Sequence, residues 1–195
     1  MDLQQLMNGA IGQQATQLIS SQLGIDANQA QSAVGLALPT LLNALNKNAS
    51  TNEGAASLYN AITKDHANGG VEDLAGMAQN ALSSGEGSSI LKHILGGLQP
   101  NVENAISQNA GIGGGQAGQI LQILAPLVLK TLGNQTQSQG LDIGGLAGLL
   151  TNVVSNQQQQ TAPQQNDIIS QLLDRDKDGS VIDDVAGLLG NLFKK

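Results

Sequence analysis

The sequence predicts an all-α protein: a multihelical domain built from two duplicated helical repeats, followed by a C-terminal helix–loop–helix. Three observations carry this expectation. Apolar residues recur at spacings of three and four along most of the chain, and few β-branched runs alternate with polar residues, so almost no sheet is expected. The stretch Gly111–Gly133, GIGGGQAGQILQILAPLVLKTLG, carries apolar residues around nearly its whole circumference from about Gln116 to Leu132, the pattern of a helix buried on all sides. It is too short and too interrupted for a membrane crossing, which needs about 20 apolar residues, so it reads as the central helix of a soluble domain. The third observation is an internal register. A shift of 87 residues lays Ile19 on Ile106, Ser20 on Ser107, Gly24 on Gly111, Ile25 on Ile112, Gln29 on Gln116, Pro39 on Pro126, Leu42 on Leu129 and Leu45 on Leu132 without a gap. Two mid-helix prolines in one register point to repeats at about 1–87 and 88–154.

The elements follow in order. Leu3, Leu6, Met7, Ile11, Leu18, Ile19 and Leu23 make one amphipathic face, with Asp2 as N-cap and Gly24 as terminator. Asp26 or Asn28 starts a second helix that ends near Leu45 and contains Pro39. Each proline removes an amide donor and clashes with the carbonyl four residues back, at Gly35 and Gln122; it either kinks its helix or marks an end and a restart. Ser50-Thr-Asn-Glu53 reads as a capping box for a helix to about Thr63. His66 to Gly70 reads as a turn, Val71 to Leu82 as a short helix, and Ser83 to Ser88 as a loop. Ile90, Ile94, Leu95 and Leu98 resume the pattern, and Pro100 divides this copy into two pieces. Asn134 to Gly140 reads as polar loop, with Leu146, Leu149, Leu150 and Val153 on one face of a last helix. Residues 155–166, SNQQQQTAPQQN, are linker by composition, and residues 167–195 form a separate helix–acidic loop–helix tail.

Composition excludes several functions. The net charge is −7 and the eight Lys and Arg are scattered, so no basic stripe meets phosphates and nucleic acid is not an expected partner. Tyr59 and Phe193 are the only aromatics, which leaves no stacking platform for bases or sugars. With no cysteine there is neither a disulfide framework nor thiolate chemistry. The opening MDLQQLMNG lacks a basic and an apolar region, so a cytoplasmic location is expected.

The residues Leu38-Pro39, Asn48-Ala49-Ser50, Glu53-Gly54-Ala55-Ala56, His93-Ile94-Leu95-Gly96-Gly97 and Leu124-Ala125-Pro126-Leu127 resemble a bacterial domain-of-unknown-function family, number nine-three-seven, with a looser likeness to YidB-like proteins. The acidic segment from Asp174 to Asp184 is similar to the ending of some members. The resemblance implies an all-helical fold and no particular activity.

The sharpest chemical motif is Asp174-x-Asp176-x-Asp178-Gly179-Ser180. Calcium takes six to eight oxygens, and an EF-hand-like loop supplies carboxylates at positions 1, 3 and 5, a glycine at 6 and a carbonyl at 7. The expected ligands are Asp174, Asp176, Asp178, the Ser180 carbonyl and Asp184. Position 9 is Ile182 and position 12 is Val185, where a bidentate Glu normally stands, so the expected affinity is weak. The alternative is that these acids cap a helix, with Ser180-x-x-Asp183 as a capping box. Gly111-x-Gly113-Gly114-Gly115 lacks a preceding strand and a following Lys-Ser/Thr, so it reads as a flexible turn rather than a phosphate cradle. His66 and His93 have no ligand-spaced partners and are expected to face solvent, and Tyr59 is expected at the rim of the core. The leading functional expectation is a non-enzymatic scaffold or interaction module, with a protein partner or self-association and a calcium loop. The rivals are a small apolar-ligand-binding protein using a groove between the repeats, and an enzyme of unrecognised type.

Overall fold

The computed structural model describes residues 10–65 and 74–160. These form α1 (Ala10–Leu23), α2 (Ala27–Ala49), α3 (Asn52–Asn60) running into a π-helical turn (Ala61–Asp65), α4 (Leu74–Ser83), α5 (Glu86–Leu95), a 3₁₀ turn (Gly96–Leu98), α6 (Gln99–Ala110), α7 (Gly114–Ser138) and α8 (Ile143–Gln160). No strand occurs among the described residues, and the fold is all-α. The chain divides between Gln159 and Gln160 into two compact units, and the N-terminal one holds these helices up to the last residue of α8.

α7 is the central helix. Ile120, Leu121, Leu124 and Ala125 are fully buried, and Leu127, Val128 and Leu129 nearly so. α4, α5, α6 and α2 all pack against it. A helix surrounded in this way has no polar face to give up, which is why its apolar residues follow no single stripe. The described core is built from Ala, Val, Leu and Ile together with Pro39 and Pro126. Fully burying one Leu or Ile contributes about 1.5–3 kcal/mol, so packing, not local propensity, holds these helices.

Both prolines lie inside continuous helices, and the alternative of an end and restart is set aside. The carbonyl that Pro126 leaves without its amide donor, that of Gln122, faces α5: a Cβ built on the buried Gly87 would sit 2.5 Å from it. Glycine lets that backbone approach. Thr40, buried beside Pro39, satisfies its hydroxyl on the Leu36 carbonyl at 2.7 Å.

Several boundaries differ from expectation. α2 continues past Leu45 to Ala49, where Asn48 Nδ2 donates to the Ile94 carbonyl at 3.1 Å and ties the ends of α2 and α5 together. The N-cap of α3 is Thr51, whose hydroxyl accepts from Gly54 N at 3.1 Å, while Ser50 Oγ donates back to Lys47 O. α5 already begins at Glu86, so the loop before it is shorter than Ser83 to Ser88. Pro100 stands in the first turn of α6, at the break between α5 and α6. The segment read as polar loop, Asn134 to Gly140, is helical through Ser138, because its inward side carries Gly133 and the 2% exposed Thr136. Gly140, at φ +59°, supplies the terminator instead. α8 runs through Gln160, into the segment read as linker by composition; glutamine is a competent helix former. Leu146 and Leu150 are its fully buried residues, and Thr151 Oγ1 donates to Asn46 Oδ1 on α2.

Candidate functional site

The two turns that join α1 to α2 and α6 to α7 are built alike. In each, a serine three residues from the helix end accepts, through its carbonyl, the amide of the residue after the glycine: Ile25 N to Ser20 O at 3.2 Å and Ile112 N to Ser107 O at 3.0 Å. The serine hydroxyls then donate to the carbonyls of the same residues, Ile25 at 2.8 Å and Ile112 at 2.6 Å. Gly24 and Gly111 stand at φ +62° and +66°, a conformation that costs side-chain-bearing residues energy and that helix-ending glycines adopt freely.

The next helix starts in the same way twice. Gln29 Oε1 accepts from Asp26 N at 3.1 Å, and Gln116 Oε1 accepts from Gly113 N at 2.9 Å. The other end of each carboxamide reaches across to the opposite turn. Gln29 Nε2 donates to Gly111 O at 2.7 Å, and Gln116 Nε2 donates to Leu23 O at 3.3 Å. Each glutamine therefore caps its own helix and braces the end of the other hairpin. Sequence reasoning placed Gln29 and Gln116 in register but gave them no role; their shared register was the available signal.

Beside the first turn lies an open groove of about 480 Å³ between α1 and α2. Gln17, Asn28 and Gln31 rim it, with Thr16 and Ser20 on one wall and Val34, 3% exposed, at its base. The place that the 87-residue register assigns to Thr16 and Gln31 in the second hairpin is held by Glu103 and Gly118. There the carboxylate of Glu103 lies over Gly118, where a Cβ would meet Glu103 Oε1 at 3.1 Å, and Gln99 Nε2 holds that oxygen at 2.7 Å. Glu103 and Gln99 of the second hairpin thus lie where the register puts Thr16 and Gly12 of the first.

His93 is exposed, with Nδ1 2.9 Å from Ser89 O. Tyr59 is half-buried at the edge of α3. Among the described residues, no three His, Cys, Asp or Glu side chains converge as metal ligands would. The glycines at 111–115 serve the turn and the start of α7. His66 and the expected calcium ligands Asp174, Asp176, Asp178, Ser180 and Asp184 lie outside the described residues.

A family model for bacterial proteins of unknown function, DUF937, matches residues 5–135. The chain belongs to this family. The DUF937 match takes in both turns, both bracing glutamines, the groove and nearly all of α7, and stops before α8 and the acidic tail. No curated protein and no solved structure matches the chain. No single described helix is long and apolar enough to cross a membrane.

Proposed function

We propose that this DUF937 chain is a non-enzymatic helical interaction module, a rigid body made of two duplicated hairpins that carries a calcium-binding loop near its C-terminus. The observation that supports a duplicated body is the reciprocal brace, Gln29 to the second turn and Gln116 to the first, on two turns with the same serine, glycine and isoleucine geometry. Where the polar chemistry sits supports a binding rather than a catalytic role. The described core buries only Thr40 and Thr136 as polar side chains, while Asp26, Lys47, Glu53, Lys92, His93 and Asp142 are exposed and Tyr59, Glu86, Glu103 and Lys130 are half-buried. Acid–base catalysis draws on titratable groups held in a desolvated cleft.

The calcium loop rests on the spacing of Asp174, Asp176 and Asp178 before Gly179 and the Ser180 carbonyl, with Asp184 as the further ligand. A carboxylate-rich flexible loop favours calcium over the smaller magnesium, and without the bidentate Glu its dissociation constant falls in the class of about 10⁻⁴–10⁻³ M. Titration calorimetry of the full chain tests this. Heat is expected with calcium, little with magnesium, and none with calcium after Asp176→Ala. No heat from the unsubstituted chain at millimolar calcium would leave helix capping as the role of those acids. Affinity capture from the native cell, with and without chelator, tests the interaction role. A stoichiometric partner or a second copy of the chain is expected to be retained in a chelator-sensitive manner.

A further inference from the structure

We infer that the groove between α1 and α2 is a binding site for an uncharged amide ligand, of which a short extended peptide segment is the fullest example. The inference rests on reading the two hairpins as copies of one another. In the second copy the equivalent place is occupied by a carboxyl group lying over a glycine and held by a glutamine amide. In the first copy both covering elements are missing: Thr16 stands for Glu103, and Gly12 stands for Gln99. The space left, about 480 Å³, lies in the range of small-ligand pockets.

The lining sets the ligand's chemistry. Gln17, Asn28 and Gln31 have exposed carboxamides, each with two N–H donors and a carbonyl acceptor, and they make no side-chain hydrogen bond to the described residues. Thr16 and Ser20 spend their hydroxyl protons on the carbonyls of Gly12 and Ile25, which leaves their oxygens able to accept. Val34 supplies an apolar base, and the exposed Ala27 an apolar edge. A group that both donates and accepts, without charge, matches this surface, and an amide is that group. Among the described residues no Lys or Arg lines the groove to pair with a carboxylate or phosphate, and the chain's net charge of −7 repels anions. Among the described residues no aromatic side chain lines it to stack a base or a sugar ring.

The test is a nuclear magnetic resonance titration of the labelled full chain with three probes: a blocked Gln-Asn-Gln-Asn tetrapeptide, a blocked single glutamine, and a blocked Glu-Asp-Glu-Asp tetrapeptide. Saturable shifts of the Gln17, Asn28 and Gln31 side-chain amides are expected with the neutral tetrapeptide. Weaker shifts are expected with the single residue and none with the acidic peptide. A response to the single residue equal to that of the peptide would assign the site to free amides, and the peptide reading would fall. Thr16→Glu with Gln31→Gly copies the filled second hairpin and should abolish the shifts. Gln17→Ala with Gln31→Ala, at exposed helical positions, keeps the fold and should also abolish them, read at Asn28 and at the backbone amides of the hairpin. An equal response to the acidic peptide, shifts that survive both double variants, or no saturable shift with the neutral peptide would each overturn the proposal. None of these outcomes bears on the equivalence of the turns, which is tested by stability.

Discussion

The two hairpins differ less in how they turn than in what they leave exposed. Around Gly24 and Gly111 the backbone hydrogen bonds, the serine hydroxyls and the positive φ angles agree closely. Just outward of the turn the two diverge. Glu103 covers Gly118 in the second hairpin, while Thr16 and Gln31 leave a groove in the first. The helices diverge inward as well: the register sets the fully buried Ala37 of α2 against the fully buried Leu124 of α7. A turn defined by backbone geometry tolerates little change, because a left-handed residue and its paired carbonyls must all be kept. A packed face can trade volume with its neighbours, provided the total is preserved. The shared parts are therefore the ones with backbone constraints, and the individual parts are those that face a neighbour or solvent.

The largest expected effect breaks the comparison in the core. Leu124→Ala gives α7 the residue that α2 carries at Ala37, but in surroundings shaped for leucine, and should lower stability by about 2–5 kcal/mol. A urea midpoint unchanged by it would show that α7 is not central. Next is Gly87→Ala, which has no counterpart in the first hairpin. Its Cβ would press on the Gln122 carbonyl at 2.5 Å and on the Ala81 carbonyl at 2.9 Å, both backbone atoms that cannot swing aside. A loss of about 1–3 kcal/mol is expected from such overpacking, and thermal or urea unfolding would read it. Gly24→Ala and Gly111→Ala then sharpen the comparison. Each forces a side chain into the left-handed region at a cost of about 1–2 kcal/mol, and the open space around Gly24 removes any steric excuse. Equivalent turns should show equal losses in the same denaturant series.

Much of this architecture was legible in the sequence, for a physical reason. The register of Ser20, Gly24, Ile25 and Pro39 on Ser107, Gly111, Ile112 and Pro126 was readable because these residues are fixed by backbone needs that only a few side chains meet. The burial of α7 was readable because an all-round apolar helix has one stable environment. The continuation of α7 through Gln135 and Gln137 was not readable, since polar residues in a helix and in a loop look alike until something covers one side. Thr136 shows this: it is buried, its hydroxyl lacks a hydrogen-bond partner, and its carbonyl accepts the Leu141 amide at 2.9 Å in the turn at Gly140. The first turn of α3 was misjudged by one residue because Ser50 and Thr51 are both competent caps, and the choice depends on where α2 ends. The bracing glutamines and the groove were missed because uncharged amides carry no pattern in one dimension; their role exists only once two distant turns are brought together. The acidic loop, from Asp174 to Asp184, stands on its sequence spacing.

The most direct measurement of the account's central claim, that the two turns are equivalent and hold each other, isolates the brace from the cap. Gln29→Glu and Gln116→Glu keep the Oε1 acceptor that caps each helix, since Glu serves that position as well as Gln. Each removes the Nε2 donor and sets a carboxylate against the carbonyl of Gly111 or Leu23. At neutral pH each variant should lose at least the worth of one hydrogen bond, about 0.5–1.5 kcal/mol, by urea denaturation. A carboxylate facing a carbonyl disfavours its charged form, so its folded pKa rises above the unfolded value of about 4.3. The loss is then fully present above the folded pKa and shrinks as the pH falls through it, when the protonated acid can donate. Similar losses for both variants, each relieved by acid, are the predicted result. A loss at one glutamine with none at the other, or no loss at either, would contradict the claim.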